Sequence, residues 1–162
     1  MQLWNPSTSF VRPNDTNAYA IGDLVANSIT AGQVAPMAFA PGNSYGVGQF
    51  RLVRARLSKT GTGVSTASFR VHLYGAQPTP ANGDNGVWST DQAANWLGNI
   101  DVTSMLTFTD GACGTGSLPA GSEALVRLAS GKQVFALIEA RAAYTPVANE
   151  AFTLTLEDLE TY

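Results

Sequence analysis

Period-two alternation of apolar and polar side chains dominates this chain. Over 68–74, Phe69, Val71 and Leu73 point one way while Arg70, His72 and Tyr74 point the other. Over 50–57, Val53, Ala55 and Leu57 oppose Arg54 and Arg56, and over 152–157, Phe152, Leu154 and Leu156 alternate with Thr153, Thr155 and Glu157. In 133–141 both sets are largely apolar, Val134, Ala136, Ile138 and Ala140 against Phe135, Leu137, Glu139 and Arg141, which predicts a central strand. Shorter strands are predicted over 20–26, 34–40, 99–102 and 124–128.

Turn clusters separate these runs: SKTGTGVS (58–65), QPTPANGDNG (77–86), DGACGTGSLPAG (110–121) and 130–132. One short helix is expected after Ser89, where Ser89 and Gln92 fit a capping box, Ala93 and Ala94 favour helix and Gly98 supplies a stop. The pattern predicts an all-β chain: a single antiparallel β-sandwich, jelly-roll-like, with one short helix. The expected division is an N-terminal arm over 1–18 and a sandwich over 19–162. The arm is apolar for a terminus, with Leu3, Trp4 and Phe10 between and beside Pro6 and Pro13. It either covers its own sandwich or reaches a neighbour. The expectation is a partner-binding segment carried by Leu3, Trp4 and Phe10, with Trp4 as anchor.

Length and composition narrow the function. At 162 residues the chain suits one domain. A lone cysteine, Cys113, cannot close a disulfide within the chain. The first residues lack the basic start and apolar core of a secretory signal, and no apolar run is long enough to cross a bilayer. Synthesis in a cytoplasm is therefore expected, with no membrane partner. Net charge is −3 and the only lysines are Lys59 and Lys132, which argues against nucleic-acid binding. Charged residues make up only 13% of the chain, against roughly 25% in an average soluble protein. Such depletion is what interface cores show, so a life packed against other chains is expected, most readily as a homo-oligomer and in particular a trimer.

No catalytic constellation emerges. His72 is the only histidine, sits mid-strand on the more polar face, and reads as a sheet-surface or interface residue. One His and one Cys cannot assemble a zinc site of the usual kind. Asp84 and Asp91, or Glu139 and Glu150, offer carboxylate pairs that nothing marks as catalytic. Asp84-Asn85-Gly86 with Asp91 could hold calcium but reads better as a turn. Residues 111–121 lack the ending of a phosphate loop and read as a flexible loop. The expectation is no enzyme activity, no metal and no cofactor. Trp88, Trp96, Tyr45 and Tyr74 could instead form a sugar-stacking platform, although the two tryptophans bracketing the helix read first as docking it on the sheet.

Three stretches, YAIGDLVANS (19–28), GDNGVWSTDQAANWLGNIDV (83–102) and QVFALIEARAAYTPVANEAFTLTLE (133–157), resemble the capsid decoration, or cement, proteins of tailed bacteriophages. The likeness is loose and spans most of the chain after residue 18. It implies a β-sandwich or β-tulip fold, assembly as a dimer or trimer on the major capsid protein, a place on the virion's outer capsid surface, and no catalytic residues to carry over. The alternative is a carbohydrate-binding β-sandwich module, a receptor-adhesion or head-fibre component.

Overall fold

A computed structural model describes residues 5–40, 48–63, 67–119, 124–128 and 133–160. Its strands are β1 (Ser7–Val11), β2 (Leu24–Val25), β3 (Met37–Phe39), β4 (Gly48–Lys59), β5 (Phe69–Tyr74), β6 (Trp96–Val102), β7 (Leu106–Phe108), β8 (Gly111–Ser117), β9 (Ala124–Leu128), β10 (Val134–Ala140) and β11 (Ala151–Glu160). The larger sheet has the order β1-β11-β4-β8-β7, with β9 beside the first half of β4 and β8 beside the second. The smaller has the order β2-β10-β5-β6, with β3 continuing along the β2 side of β10. All pairings are antiparallel. Taking β2 with β3, and β8 with β9, as single interrupted edges leaves the interlocked strand order of a jelly roll. The all-β sandwich expected from the alternation is what forms.

Alternation fills the space between the sheets. Phe69, Val71, Leu73, Ile100, Val102, Val134, Ala136 and Ile138 from one sheet meet Leu52, Ala55, Leu57, Phe152, Leu154 and Leu156 from the other. Phe69 makes an edge contact with Phe152, and Phe10 of β1 stacks on the same Phe152 ring at 5.6 Å.

Three expectations change. The segment expected to be an arm supplies β1, which runs the length of Ala151–Thr155 on β11 as the sheet's edge. Phe10 packs on its own core. Leu3 and Trp4 lie outside the described residues. The helix expected after Ser89 shrinks to one 3-10 turn, Ala93–Asn95, without a side-chain cap. Gln92 adopts a left-handed conformation (φ 66°), which no helix can run through, and Trp96 already begins a strand.

The glycine-rich stretch read as a flexible loop is largely strand β8. Its glycines answer to space. A Cβ on Gly114 would lie 2.7 Å from Met105 Sδ, and one on Gly116 would lie 2.8 Å from Ile100 Cγ2, with the Ser104 and Asp101 carbonyl oxygens closer still. Small residues let the edge of the smaller sheet close down on the larger one.

Candidate functional site

Three places on the sandwich gather polar or aromatic side chains. The first is buried at one end. Arg12, directly after β1, has a fully buried side chain and donates to Asp84 Oδ2 at 2.9 Å. Its Nε also donates to the Tyr19 hydroxyl. That hydroxyl donates to Asp84 Oδ1 at 2.6 Å, and the Ala26 amide reaches the same oxygen at 2.7 Å. Tyr19 stacks on Tyr144, whose hydroxyl donates to Glu150. Glu150 in turn pairs with Lys59 at 2.7 Å, and Lys59 also donates to the Gly61 and Gly63 carbonyls. Burial pushes the Asp84 carboxyl upward, opposed by the Ala26 amide, Tyr19 and Arg12. Burial also raises both tyrosine hydroxyls far above their ordinary value. Every charge here has a fixed partner and none faces solvent, so this network staples the β1 and 13–19 segments to the 84–86 turn. The carboxylate weighed for calcium is thus occupied by a guanidinium. Among the described residues no group of three or more His, Cys, Asp or Glu could hold a metal ion.

The second place is the outer face of the smaller sheet. His72 projects outward from β5 yet is buried, because Trp88 stacks over it with ring centres 3.9 Å apart. Its Nε2 lies 2.7 Å from Glu139 Oε2, Nδ1 has no partner among the described residues, and Arg141 holds the other Glu139 oxygen at 2.8 Å. Beside them Arg70 and Asp101 form a two-pronged pair at 2.6 and 2.8 Å. Sequence reasoning placed His72 on the correct face and missed its cover, which comes from a segment sixteen residues away with no strand signature. The second apolar set of β10 is met within the chain: Phe135 and Leu137 pack with Leu24, Ala26, Val34, Tyr74 and Trp88.

Burial lowers the His72 pKa against the pull of Glu139, and Asp101 and Glu139 also lie below the usual carboxylate range. Hydrogen bonding to Arg70 leads for Asp101, while for Glu139 the bonds from His72 and Arg141 outweigh its burial. All three signs agree. Each group binds a proton more weakly folded than unfolded, so stability is present above the unfolded pKa and is lost as pH falls through the folded one. The melting temperature should therefore begin to drop below about pH 6.5 and, through Asp101 and Glu139, drop further below about pH 4.5, with the raised Asp84 carboxyl working in the opposite sense. In His72→Asn the upper limb should flatten, while the lower one keeps the part that Asp101 owes to Arg70. An unchanged upper limb in a thermal series would show that His72 is not its source.

The third place is the outer face of the larger sheet, where the register aligns side chains in rows across the strands. One row runs Ser9, Thr153, Ser58, Cys113, Leu106; the next runs Ser7, Thr155, Arg56, Thr115; the third joins Glu157, Arg54 and Ser117. Hydroxyls link neighbours, Ser9 to Thr153 at 3.0 Å and Thr155 to Ser7 at 3.2 Å. Arg54 and Glu157 pair at 2.5 Å. Arg56 is exposed and makes no ion pair among the described residues. Exposed Leu106, Phe108 and Val11 flank the rows. Hydroxyls and other short side chains fill most of the first row, and a hollow of about 210 Å³ opens beside it, lined by Ser58, Cys113, Thr153 and Phe108 among others.

The aromatics weighed as a sugar platform come together in part. Tyr74, Trp88 and Trp96 line one cleft with Thr90, Asp91 and Ala93, while Tyr45 lies outside the described residues. The helix that the two tryptophans are expected to dock on the sheet does not form; Trp88 packs on the sheet over His72, and Trp96, at the start of β6, is 45% exposed. Among the described residues no helix is long and apolar enough to cross a membrane. No family model matches the chain, and no curated protein matches it.

Proposed function

We propose that this chain is a structural virion protein, a decoration or cement protein that seats on the outer surface of a tailed-phage capsid and stabilises it. The observation that carries the reading is the hydroxyl-rich outer face of the larger sheet, with one internally compensated ion pair and, among the described residues of its three rows, Arg56 as the charge without an ion-pair partner. Rows of short hydroxyl side chains suit another protein's surface, since they cost little side-chain entropy to immobilise and bring few charges to desolvate. The low charge of the whole chain and the resemblance of residues 19–28, 83–102 and 133–157 to decoration proteins support the same reading. On it the protein has no catalytic role and needs no cofactor. Its partners are the major capsid protein and copies of itself, as a trimer in the proposed assembly.

Shells assembled from the major capsid protein of the same genome, lacking this chain, supply the test. The purified protein should co-sediment with them to saturation and raise their melting temperature. Thr115→Arg with Arg56→Glu, both on the exposed face, should weaken binding at least about tenfold without unfolding the sandwich. A folded protein that leaves such shells unbound overturns the proposal.

A further inference from the structure

The cleft beside Trp96 stands apart from the outer face of the larger sheet and does not depend on the capsid reading. It measures about 220 Å³ and opens on the outer side of the smaller sheet. Its walls are fixed from several directions. Tyr74 and Trp96 are cross-strand partners at an irregularity in the β5–β6 register. The Tyr74 hydroxyl bonds the Thr90 hydroxyl at 3.0 Å. The strap over 76–95 is held by a Pro80–Thr90 bridge, by the Ala81 amide on the Ser89 carbonyl, and by the Gly75 amide on Asn95. Trp88 is pinned by its stack on His72. Asp91 accepts the Thr79 amide on Oδ1 at 2.6 Å and leaves its second oxygen unbonded among the described residues.

We propose that this cleft binds a pyranose ring of a carbohydrate. A pyranose has a flat C–H face and a rim of hydroxyls, so it needs an aromatic plane and acceptors at the edge. Trp96 offers the plane, half in water at a cost that a stacked ring would relieve. The free Asp91 oxygen and the Thr90 hydroxyl offer the acceptors. The volume suits about one ring rather than an extended chain. A proline-rich peptide, the other common occupant of aromatic grooves, presents carbonyls and few donors, so it makes no use of a carboxylate. The polar complement at the cleft favours the sugar.

The test titrates the whole chain with glucose, galactose, mannose, rhamnose and N-acetylglucosamine, read by tryptophan fluorescence and by ligand-observed NMR. At least one should saturate with Kd on the order of 1 mM, the range of a single small ring. Trp96→Ala and Asp91→Asn should each weaken it at least tenfold while the domain stays folded, asparagine keeping an oxygen for the Thr79 amide, and Trp96→Phe should retain most of it. Shell binding by Trp96→Ala should match the parent, which separates this outcome from that of the larger sheet's outer face. No saturation by any of the five sugars, saturation that survives Trp96→Ala, or a response to a proline-rich peptide instead would each overturn the proposal.

Discussion

Replacing Arg12 with alanine should lower the stability of the sandwich by about 3–5 kcal/mol, the loss that follows when a buried carboxylate is stranded without its cation. Asp84 is fully buried in its side chain and would keep only the Tyr19 hydroxyl and the Ala26 amide. Arg12 also lies over the Tyr19 ring, 4.7 Å from its centre, so alanine removes packing as well as charge. The effect should be specific to the pairing. Asp84→Asn keeps the oxygen that accepts from both Ala26 and Tyr19, and adding it to Arg12→Ala should cost less than the two single losses combined. Denaturant unfolding of the four proteins measures this directly. A single-variant loss under about 1 kcal/mol, or strict additivity, would mean that the Arg12–Asp84 contact does not hold the end of the sandwich together.

Gly116→Ala should be as damaging, about 4 kcal/mol or more, although it adds one methyl group. Overpacking usually costs about 1–3 kcal/mol because side chains shift out of the way. Here the nearest obstacle is the Asp101 backbone carbonyl, which is itself fixed in the β5–β6 ladder, with Ile100 Cγ2 behind it at 2.8 Å. Relief would require the two sheets to separate along that side. Its neighbour provides the control, since Thr115 points outward and is exposed, and Thr115→Ala should change stability by no more than about 0.5 kcal/mol. Thermal melts of the two variants side by side should differ widely. Similar melts would contradict the close approach of the sheets at β8.

The contrast between positions 115 and 116 also shows what could be read from the chain in advance. Strands such as β5, β10 and β11 announce themselves because one face of each is filled by large apolar residues at every second position. Strand β8 does the same job with alanine and glycine, so its inward positions carry no hydrophobic signal and its composition imitates a turn. Strand β1 was obscured in another way. Only Phe10 of its residues reaches the core cluster, and its pairing partner lies more than 140 residues away. The jelly-roll order itself follows from pairings of that kind and leaves no local trace. The same holds for the candidate sites. Trp88, Trp96 and Tyr74 were recognisable as a possible platform from their chemistry, but the burial of His72 beneath Trp88 is a tertiary fact. The hydroxyl rows became visible only once the register set Ser9, Thr153 and Ser58 abreast. Asp84 in its turn motif pointed toward solvent on every local rule, and it took Arg12 from the far end of the chain to make it a buried anchor.

The position of β11 has a bearing on how the protein comes into being. This strand is described last along the sequence yet lies in the interior of the larger sheet, joined to β1 on one side and to β4 on the other. During synthesis β1 and β4 leave the ribosome early and have no neighbour between them until residues 151–160 follow. Until then the nascent sandwich carries unpaired strand edges, the state in which β-proteins are most exposed to misassociation. Long-range pairing of this sort also makes closure slow once the chain is free. The sandwich completes itself only in its final stretch, when β11 is drawn into the gap its partners have kept open.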